Sequence, residues 1–511
     1  MKYFIQNMGP MQYAEYSIKP FNIICGMNNT GKTYVTYSLF GFLSGWEGIF
    51  DVMEFHEEVA ANPVGLMEVL RAGESKVDLE QYFCNPIDNP SGCSFMQSIL
   101  NRLCQIYSTG LGAIFAANDT KFTNSSLGAR LDEKDVEEVR KSSWKLTVNI
   151  PILGSIGHDG EYVSVIADKN EGELFVTLRP KELIDDRLSV VSSYSPEDID
   201  ILDKKISSAF IRFILRSIFP RPYVSSAERT GVATFREDLA FARQKLVSLV
   251  SNKVNRGDSR NRTLRDSLFV NDETVDPKFD FEYPSAVQSN IDFMAKLEAV
   301  VRKDSYIYRE HENILNYFLK ISEGEYKYSG TSVGYFLPKG RNKRLNLDEV
   351  SSSVRALADL WFYLRYYARQ GDLLIIDEPE LNLHPRNQRL MARLLAMISR
   401  AGINVLITTH SEYILREINY LIRMHSVWEK ISEENLNIVA GYEEGMLLNW
   451  NNVNVCVTGK NSVLVPGRKR RSKVNTLSSV EVNEYGIEME SFNNVIEDMN
   501  RLEDYIYWGI E

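Results

Sequence analysis

Residues 21–36 read FNIICGMNNTGKTYVT. An apolar run, Phe21 to Cys25, breaks at Gly26, crosses polar and flexible residues, and restarts at Lys32 and Thr33. The residues Gly26, Met27, Asn28, Asn29, Thr30, Gly31, Lys32 and Thr33 fit the pattern G-x-x-x-x-G-K-[ST]. The run before them has strand character, and Val35, Leu39, Phe40 and Leu43 follow at helical spacing. That strand-loop-helix context lets backbone N–H groups curl around phosphate oxygens at the positive end of a helix. In this reading Gly26 and residues 28–33 cradle a nucleotide, Lys32 reaches the β- and γ-phosphates, and the Thr33 hydroxyl ligates Mg²⁺.

Two later strand ends carry chemistry. GDLLIIDEPE contains a β-type run, Leu373 to Ile376, suited to a central parallel strand that delivers Asp377 and Glu378 at its carboxyl end. Alone, the pair reads as an acidic turn. Behind a phosphate loop, Asp377 reads as the Mg²⁺-holding carboxylate and Glu378 as the group that orients or deprotonates water. A third strand, Asn404 to Thr409, ends at His410-Ser411. Lone histidines are more often structural, but this position suits a group that senses the γ-phosphate.

The chain has 511 residues, 44% hydrophobic and 25% charged, which fits a folded protein of more than one structural unit. No apolar run approaches the ~20 residues of a membrane helix, and MKYFIQNMGP lacks the apolar core of a signal peptide, so a cytoplasmic, membrane-free protein is expected. Five cysteines without a C-x-x-C pair support neither a disulfide framework nor a zinc site. Six histidines give a histidine-based metal nuclease little material.

Along the chain, Tyr3 to Ile5 and Tyr13 to Ile18 alternate around a Gly-Pro turn. Helical patterning runs from about 50 to 107, interrupted by NPIDNPSGC, and residues 118–143 read as a polar loop and a charged helix. LTVNIPI, EYVSVIAD and ELFVTL form a second β region, and Pro196 to Ile218 an amphipathic helix. Residues 235–320 look helical around the basic break NKVNRGDSRNRTLRDS. A hairpin-like stretch then leads into a helix from Ser353 to Arg369.

The order GMNNTGKT, SSSVRAL, LLIIDEPELNLHP, ITTHS resembles the ABC-type ATPase heads of the SMC, RecF and OLD group. It looks most like the compact AAA-family ATPases of bacterial anti-phage defence operons, such as Septu, PARIS and retron systems. These motifs cover about a third of the chain. The resemblance implies an α/β fold, an ABC-type P-loop ATPase head with a mixed β-sheet core and helical insertions. The head would comprise 1–50, 144–235 and 321–511, with helical insertions at 51–143 and 236–320. It implies ATP and Mg²⁺ as ligands and Mg-dependent ATP hydrolysis. Lys32 and Thr33 become the Walker A pair, Asp377 and Glu378 the Walker B pair, Asn382 to Pro385 the D-loop, and His410 the switch histidine. The signature serine falls among Ser351, Ser352 and Ser353, with Ser352 or Ser353 as the γ-phosphate contact. The usual glycines after it are replaced by Val354 and Arg355.

The resemblance further implies self-association through an ATP sandwich and a separate effector, a nuclease, because no effector chemistry is visible in this chain. A DNA, RNA or phage-protein trigger is compatible with it. Two alternatives stay open, a RecF- or SMC-like DNA-binding repair ATPase and an ATP-gated scaffold with little turnover. The net charge of −11 counts against a nucleic-acid-coated surface, yet Arg468 to Arg471 with Lys473, and Lys339 to Arg344, could each meet phosphates or simply be solvated. YVSSAERTG occupies the place of the Q-loop; Glu228 or Arg229 stands there near metal or phosphates, or else in a solvated turn ion pair. DYIYW at 504–508 reads as a packed terminal helix.

Overall fold

A computed structural model of the chain describes residues 1–55, 66–84, 94–151, 162–181, 195–236, 283–330, 332–336, 344–434, 441–465 and 470–488. Cys93, NPIDNPSGC, the basic break at 252–267, residues 339–343 and 468–469 of the basic runs, and DYIYW lie outside these residues.

β1 (Lys2–Met8) and β2 (Met11–Ser17) pair as a hairpin closed by Met8↔Met11. β3 (Phe21–Gly26) runs into the phosphate loop and the loop helix Lys32–Phe55. Further along come β4 (Ser75–Asp78), β5 (Ser126–Arg130), β6 (Trp144–Pro151), β7 (Tyr162–Lys169), β8 (Phe175–Pro180) and β9 (Pro222–Ser225). They are followed by β10 (Glu325–Ser329), β11 (Ser332–Phe336), β12 (Arg344–Asn346), β13 (Leu373–Asp377), β14 (Asn404–Thr409), β15 (Val453–Val463) and β16 (Ser472–Val480). The principal sheet has nine strands among the described residues, in the order β5-β1-β2-β16-β15-β3-β14-β13-β9. β15, β3, β14, β13 and β9 are mutually parallel; on the other side β15–β16, β1–β2 and β1–β5 are antiparallel and β16–β2 is parallel. This is the mixed α/β core expected of a P-loop ATPase head. A second, antiparallel sheet has the order β4-β8-β7-β6.

The parallel strands are apolar on both faces because both faces are covered. Ile24, Leu373, Ile375 and Leu406 enter one core with Val35, Leu39, Phe42, Trp46, Ile49 and Phe50 of the loop helix. Ile23, Cys25, Leu374, Ile376, Val405 and Ile407 enter a second core with helices Ser352–Phe362, Pro385–Arg400 and Glu412–Glu434. Burying each Leu, Ile or Phe contributes roughly 1.5–3 kcal/mol, so the rim carrying the motifs stands on a rigid base.

Three expectations change. Residues 51–143 are not purely helical: β4 pairs with β8, and β5 pairs with β1 at the edge of the principal sheet. β5 is five residues long, too short for alternation to stand out, and a Cβ on its Gly128 would meet the Phe4 ring at 2.0 Å, so the missing side chain admits that ring. The helix expected over 353–369 is α-helical from Ser352 to Phe362 and continues as a single wider π turn, Tyr363–Tyr367. The polar turn after β9 contains a short helix, Arg229–Thr234.

Candidate functional site

Parallel pairing lines up the carboxyl ends of the central strands. Gly26 lies opposite Thr458, Cys25 opposite Thr409, Thr408 opposite Asp377, and Ile376 opposite Ser225. With neighbouring strands about 4.8 Å apart, the phosphate loop and the acidic strand end are separated only by the strand carrying Thr408 and Thr409.

The loop is preformed. Gly26 (φ +138°) and Gly31 (φ +103°) take backbone conformations that suit glycine, and a Cβ on Gly26 would strike the Thr458 hydroxyl at 2.3 Å. The Thr30 hydroxyl donates to the Met27 carbonyl at 2.7 Å and meets the Thr458 hydroxyl, which donates to the Cys25 carbonyl at 3.2 Å. Lys32 is buried, its Nζ donating to the Gly26 and Met27 carbonyls at 3.0 and 2.9 Å. Burial lowers its pKa, while the charges of Glu378 and Asp377 oppose that shift. Asn28, Asn29 and Thr33 are exposed along the loop, where a ligand can reach them.

The carboxylates converge beside the loop. Asp377 is buried and accepts a hydrogen bond from the Thr408 hydroxyl. Burial pushes its carboxyl up, the Thr408 bond works against that, and the charge of Glu378 adds to it. Glu378 adopts φ +50°, uncommon for a residue with a side chain; its N–H donates to the Thr408 carbonyl and hydroxyl, both at 3.1 Å. Its Oε1 lies 3.2 Å from His410 Nε2, so the expected base and switch histidine meet directly. Tyr37 from the loop helix donates to Glu228 Oε2 at 3.4 Å. Burial first, then the charges of Asp377 and Glu228, hold its phenol well above the usual range.

Sequence reasoning missed Thr408, Thr458 and Glu380. One Glu380 oxygen accepts from the His410 N–H at 2.6 Å, the Thr409 hydroxyl at 2.9 Å and the Ser411 N–H at 3.1 Å. Its other oxygen is buried with no hydrogen-bond partner, and burial raises its carboxyl pKa. The doubled hydroxyls of ITTH and the last acid of DEPE were the available signals.

The serines lie at the N-terminus of helix Ser352–Phe362. Ser351 is its cap: its hydroxyl accepts from the Val354 N–H at 3.4 Å and shares a hydrogen bond with Ser353 at 2.8 Å. Ser351 and Ser352 are exposed and Ser353 half-buried. At the D-loop position Asn382 has φ +60° and donates to the Thr230 hydroxyl at 3.2 Å, while His384 caps helix Pro385–Arg400. Arg229 is no solvated turn ion pair: it is 4% exposed and donates entirely to main-chain carbonyls.

The loop can take nucleotide phosphates, and Thr33 and Asp377 are the groups that could hold Mg²⁺ beside them; among the described residues no three His, Cys, Asp or Glu side chains form a metal site on their own. Asp377, Glu378 and Glu380 all act electrostatically on the Lys32 ammonium. This excess of negative charge, with a buried carboxyl displaced upward, suits a divalent cation, which typically takes one or two carboxylates and completes its shell with phosphate and water. Asp377→Asn therefore has a definite expected outcome. A folded-state pKa raised above the unfolded value means that ionisation costs stability once pH exceeds the unfolded value near 3.9. The variant should melt higher than wild type at pH 7 without ligand, the difference vanishing as pH falls below that value, and should lose stabilisation by MgATP. Differential scanning calorimetry with and without MgATP checks both parts.

Taken together, a strand-loop-helix phosphate cradle, an acidic strand end and a facing histidine define a P-loop nucleotide site on a mixed α/β sheet. Residues 258–415 match the family model of an AAA ATPase domain, a stretch that holds the serine helix, Asp377, Glu378 and His410. No curated protein sequence matches the chain. Among solved structures, an SmcHead bound to the C-winged helix domain of ScpA is similar at 10% identity, covering 94% of this chain and 98% of that one, with a TM-score of 0.31. The SMC head domain from Thermotoga maritima gives 9%, 94%, 98% and 0.28 on the same measures. An Smc head domain with an extended coiled coil, bound to the C-terminal domain of ScpA and derived from Pyrococcus furiosus, gives 11%, 98%, 98% and 0.29. TM-scores of this size carry no weight for fold or function. No helix among the described residues is long and apolar enough to cross a membrane.

Proposed function

We propose that the chain is an ATP-binding and ATP-hydrolysing switch subunit that closes on a second copy around ATP and controls a separate effector protein. The observation carrying this reading is the juxtaposition of the Lys32 loop with the Asp377–Glu378 strand end and His410, with Glu378 Oε1 3.2 Å from His410 Nε2. The AAA ATPase domain match over residues 258–415 supports it.

In this mechanism, N–H groups of residues 28–33 and the Lys32 ammonium hold the β- and γ-phosphates. Thr33 and Asp377 would hold Mg²⁺, which when bound would neutralise charge on the phosphate oxygens. Glu378 orients the attacking water and accepts its proton, and His410, already paired with Glu378, holds that carboxylate in place and faces the γ-phosphate. Rate comes from positioning and charge stabilisation rather than covalent chemistry. Ser352, exposed, and Ser353, half-buried, complete the site of the second copy. Residues 1–50, 144–235 and 321–511 supply most of the head, joined by β5 at the edge of its principal sheet, and the rest of 51–143 with 236–320 would serve the effector or the trigger.

The regulatory role in an anti-phage defence complex, with a nuclease as effector, rests on the ordered motif set GMNNTGKT, SSSVRAL, LLIIDEPELNLHP and ITTHS. The glycine-free helix SSSVR favours a second reading, an ATP-gated scaffold that turns over little. A sandwich predicts that Glu378→Gln, which binds ATP but cannot use it, elutes at about twice its monomer mass by light scattering in MgATP and reverts in ADP. An unchanged mass in both nucleotides would reject the sandwich.

A further inference from the structure

Arg229 opens the short helix after β9 and is nearly inaccessible, yet no carboxylate forms an ion pair with it among the described residues. Its guanidinium spans three parts of the molecule. Nε donates to the Ala356 carbonyl in the serine helix at 3.2 Å. Nη1 donates to the carbonyls of Ser226 at 2.9 Å and Asp377 at 2.6 Å. Nη2 donates to the Glu378 carbonyl at 2.6 Å. The planar fork thus binds the main-chain carbonyls on both sides of the Glu378 Cα, where Glu378 holds its left-handed conformation, and ties them to the helix that carries Ser352 and Ser353.

A guanidinium can span this set and an ammonium cannot, since a lysine nitrogen is a point donor on a flexible stem. The surroundings reinforce the link from both ends. Ser225, at the end of β9, donates to the buried Asp359 of the serine helix at 2.6 Å. Asn290 accepts from the Ser226 N–H at 2.7 Å and donates to the Val224 carbonyl, fixing the segment from which Arg229 springs. The charge of Arg229 also lowers the pKa of both Asp377 and Asp359 against their burial.

We infer that Arg229 is a positioning residue that makes the serine helix and the Asp377–Glu378 strand end one mechanical unit, so that a nucleotide engaged by the serine helix on a second copy sets the backbone of Glu378 in this chain. The inference rests on the sandwich reading for its second half. It needs no contact between Arg229 and nucleotide. Its consequence is that catalysis in one site depends on occupancy of the other.

The test uses the full chain carrying Arg229→Lys, with Arg229→Gln as a second variant, compared with wild type in MgATP. Nucleotide affinity is measured by equilibrium binding of a fluorescent ATP analogue, turnover by phosphate release, and cooperativity by the Hill coefficient of rate against ATP. The expected result is a Kd within about twofold of wild type and kcat lower by about 100-fold, the scale of an ångström misplacement of a reacting group, with a Hill coefficient reduced to 1. Retained kcat in a variant that binds nucleotide normally would overturn the inference. So would parallel loss of binding, turnover and melting temperature in both variants, which marks a purely structural role. Failure of the sandwich is distinguishable, because it shows in wild type alone as a concentration-independent specific activity with a Hill coefficient of 1. The positioning role is then judged on the kcat ratio, and its coupling half is overturned.

Discussion

Lys32→Ala is expected to lose ATP binding. The ammonium is buried and held by the Gly26 and Met27 carbonyls, at the mouth of a loop whose shape is fixed by Thr30 and Thr458 rather than by the lysine. Removing it leaves the cradle standing but takes away charge-assisted hydrogen bonds to phosphate, each worth about 1.5–3 kcal/mol. Two such bonds correspond to a rise in Kd of about 100-fold or more. The two carbonyls it releases border the exposed loop, where water can replace the donor, so the fold should survive. Calorimetric titration with MgATP, beside a melting curve of the free variant, separates lost binding from lost structure. Unchanged affinity in a folded variant would move the nucleotide away from this loop.

Ser353→Glu is expected to leave binding intact and stop turnover. Its hydroxyl shares a hydrogen bond with Ser351, the residue that caps the helix, so a substitution there costs the free chain little. In a closed pair, however, the new carboxylate would face the γ-phosphate of the other copy in a site built to stabilise negative charge. Losing one such donor costs 10²–10³ in rate in comparable sites, and replacing it by a like charge costs at least about that much. Phosphate release should fall by about 100-fold or more, with single-chain affinity for ATP within about twofold. Mixing the variant with Lys32→Ala chains sharpens the test. Each mixed pair then has one wholly defective and one intact composite site; because the defective site stays empty, coupling through Arg229 predicts that turnover remains low, whereas independent sites would restore partial activity.

The chemistry of the rim was legible because short contiguous motifs encode it: the loop fixes its own strand-loop-helix context, and IIDE and ITTH announce themselves as buried strands ending in polar groups. That β13 is a central parallel strand follows from its being apolar on both faces. What the sequence hid depends on distant partners. Thr458 supports the loop from a strand 428 residues beyond Thr30, and nothing local marks it. In sequence Arg229 reads equally as a group near metal or phosphates and as part of a solvated turn ion pair, but the fold buries it against carbonyls of residues more than a hundred positions away. β5 reached the sheet edge through a five-residue strand whose register is set by pairing with β1, not by its own pattern. Glu380 was overshadowed by its neighbours, although a carboxylate buried against three donors around His410 is what fixes the histidine's main chain.

The central claim is that the Lys32 loop and Glu378 form one hydrolytic ATP site. Steady-state phosphate release by wild type and Glu378→Gln, measured together in saturating MgATP with nucleotide occupancy recorded for both, tests it most directly. The account predicts turnover in wild type and about 10²–10⁴-fold less in the variant, with occupancy equal in the two. Equal, negligible release from both at full occupancy would contradict hydrolysis at this site and leave an ATP-gated scaffold.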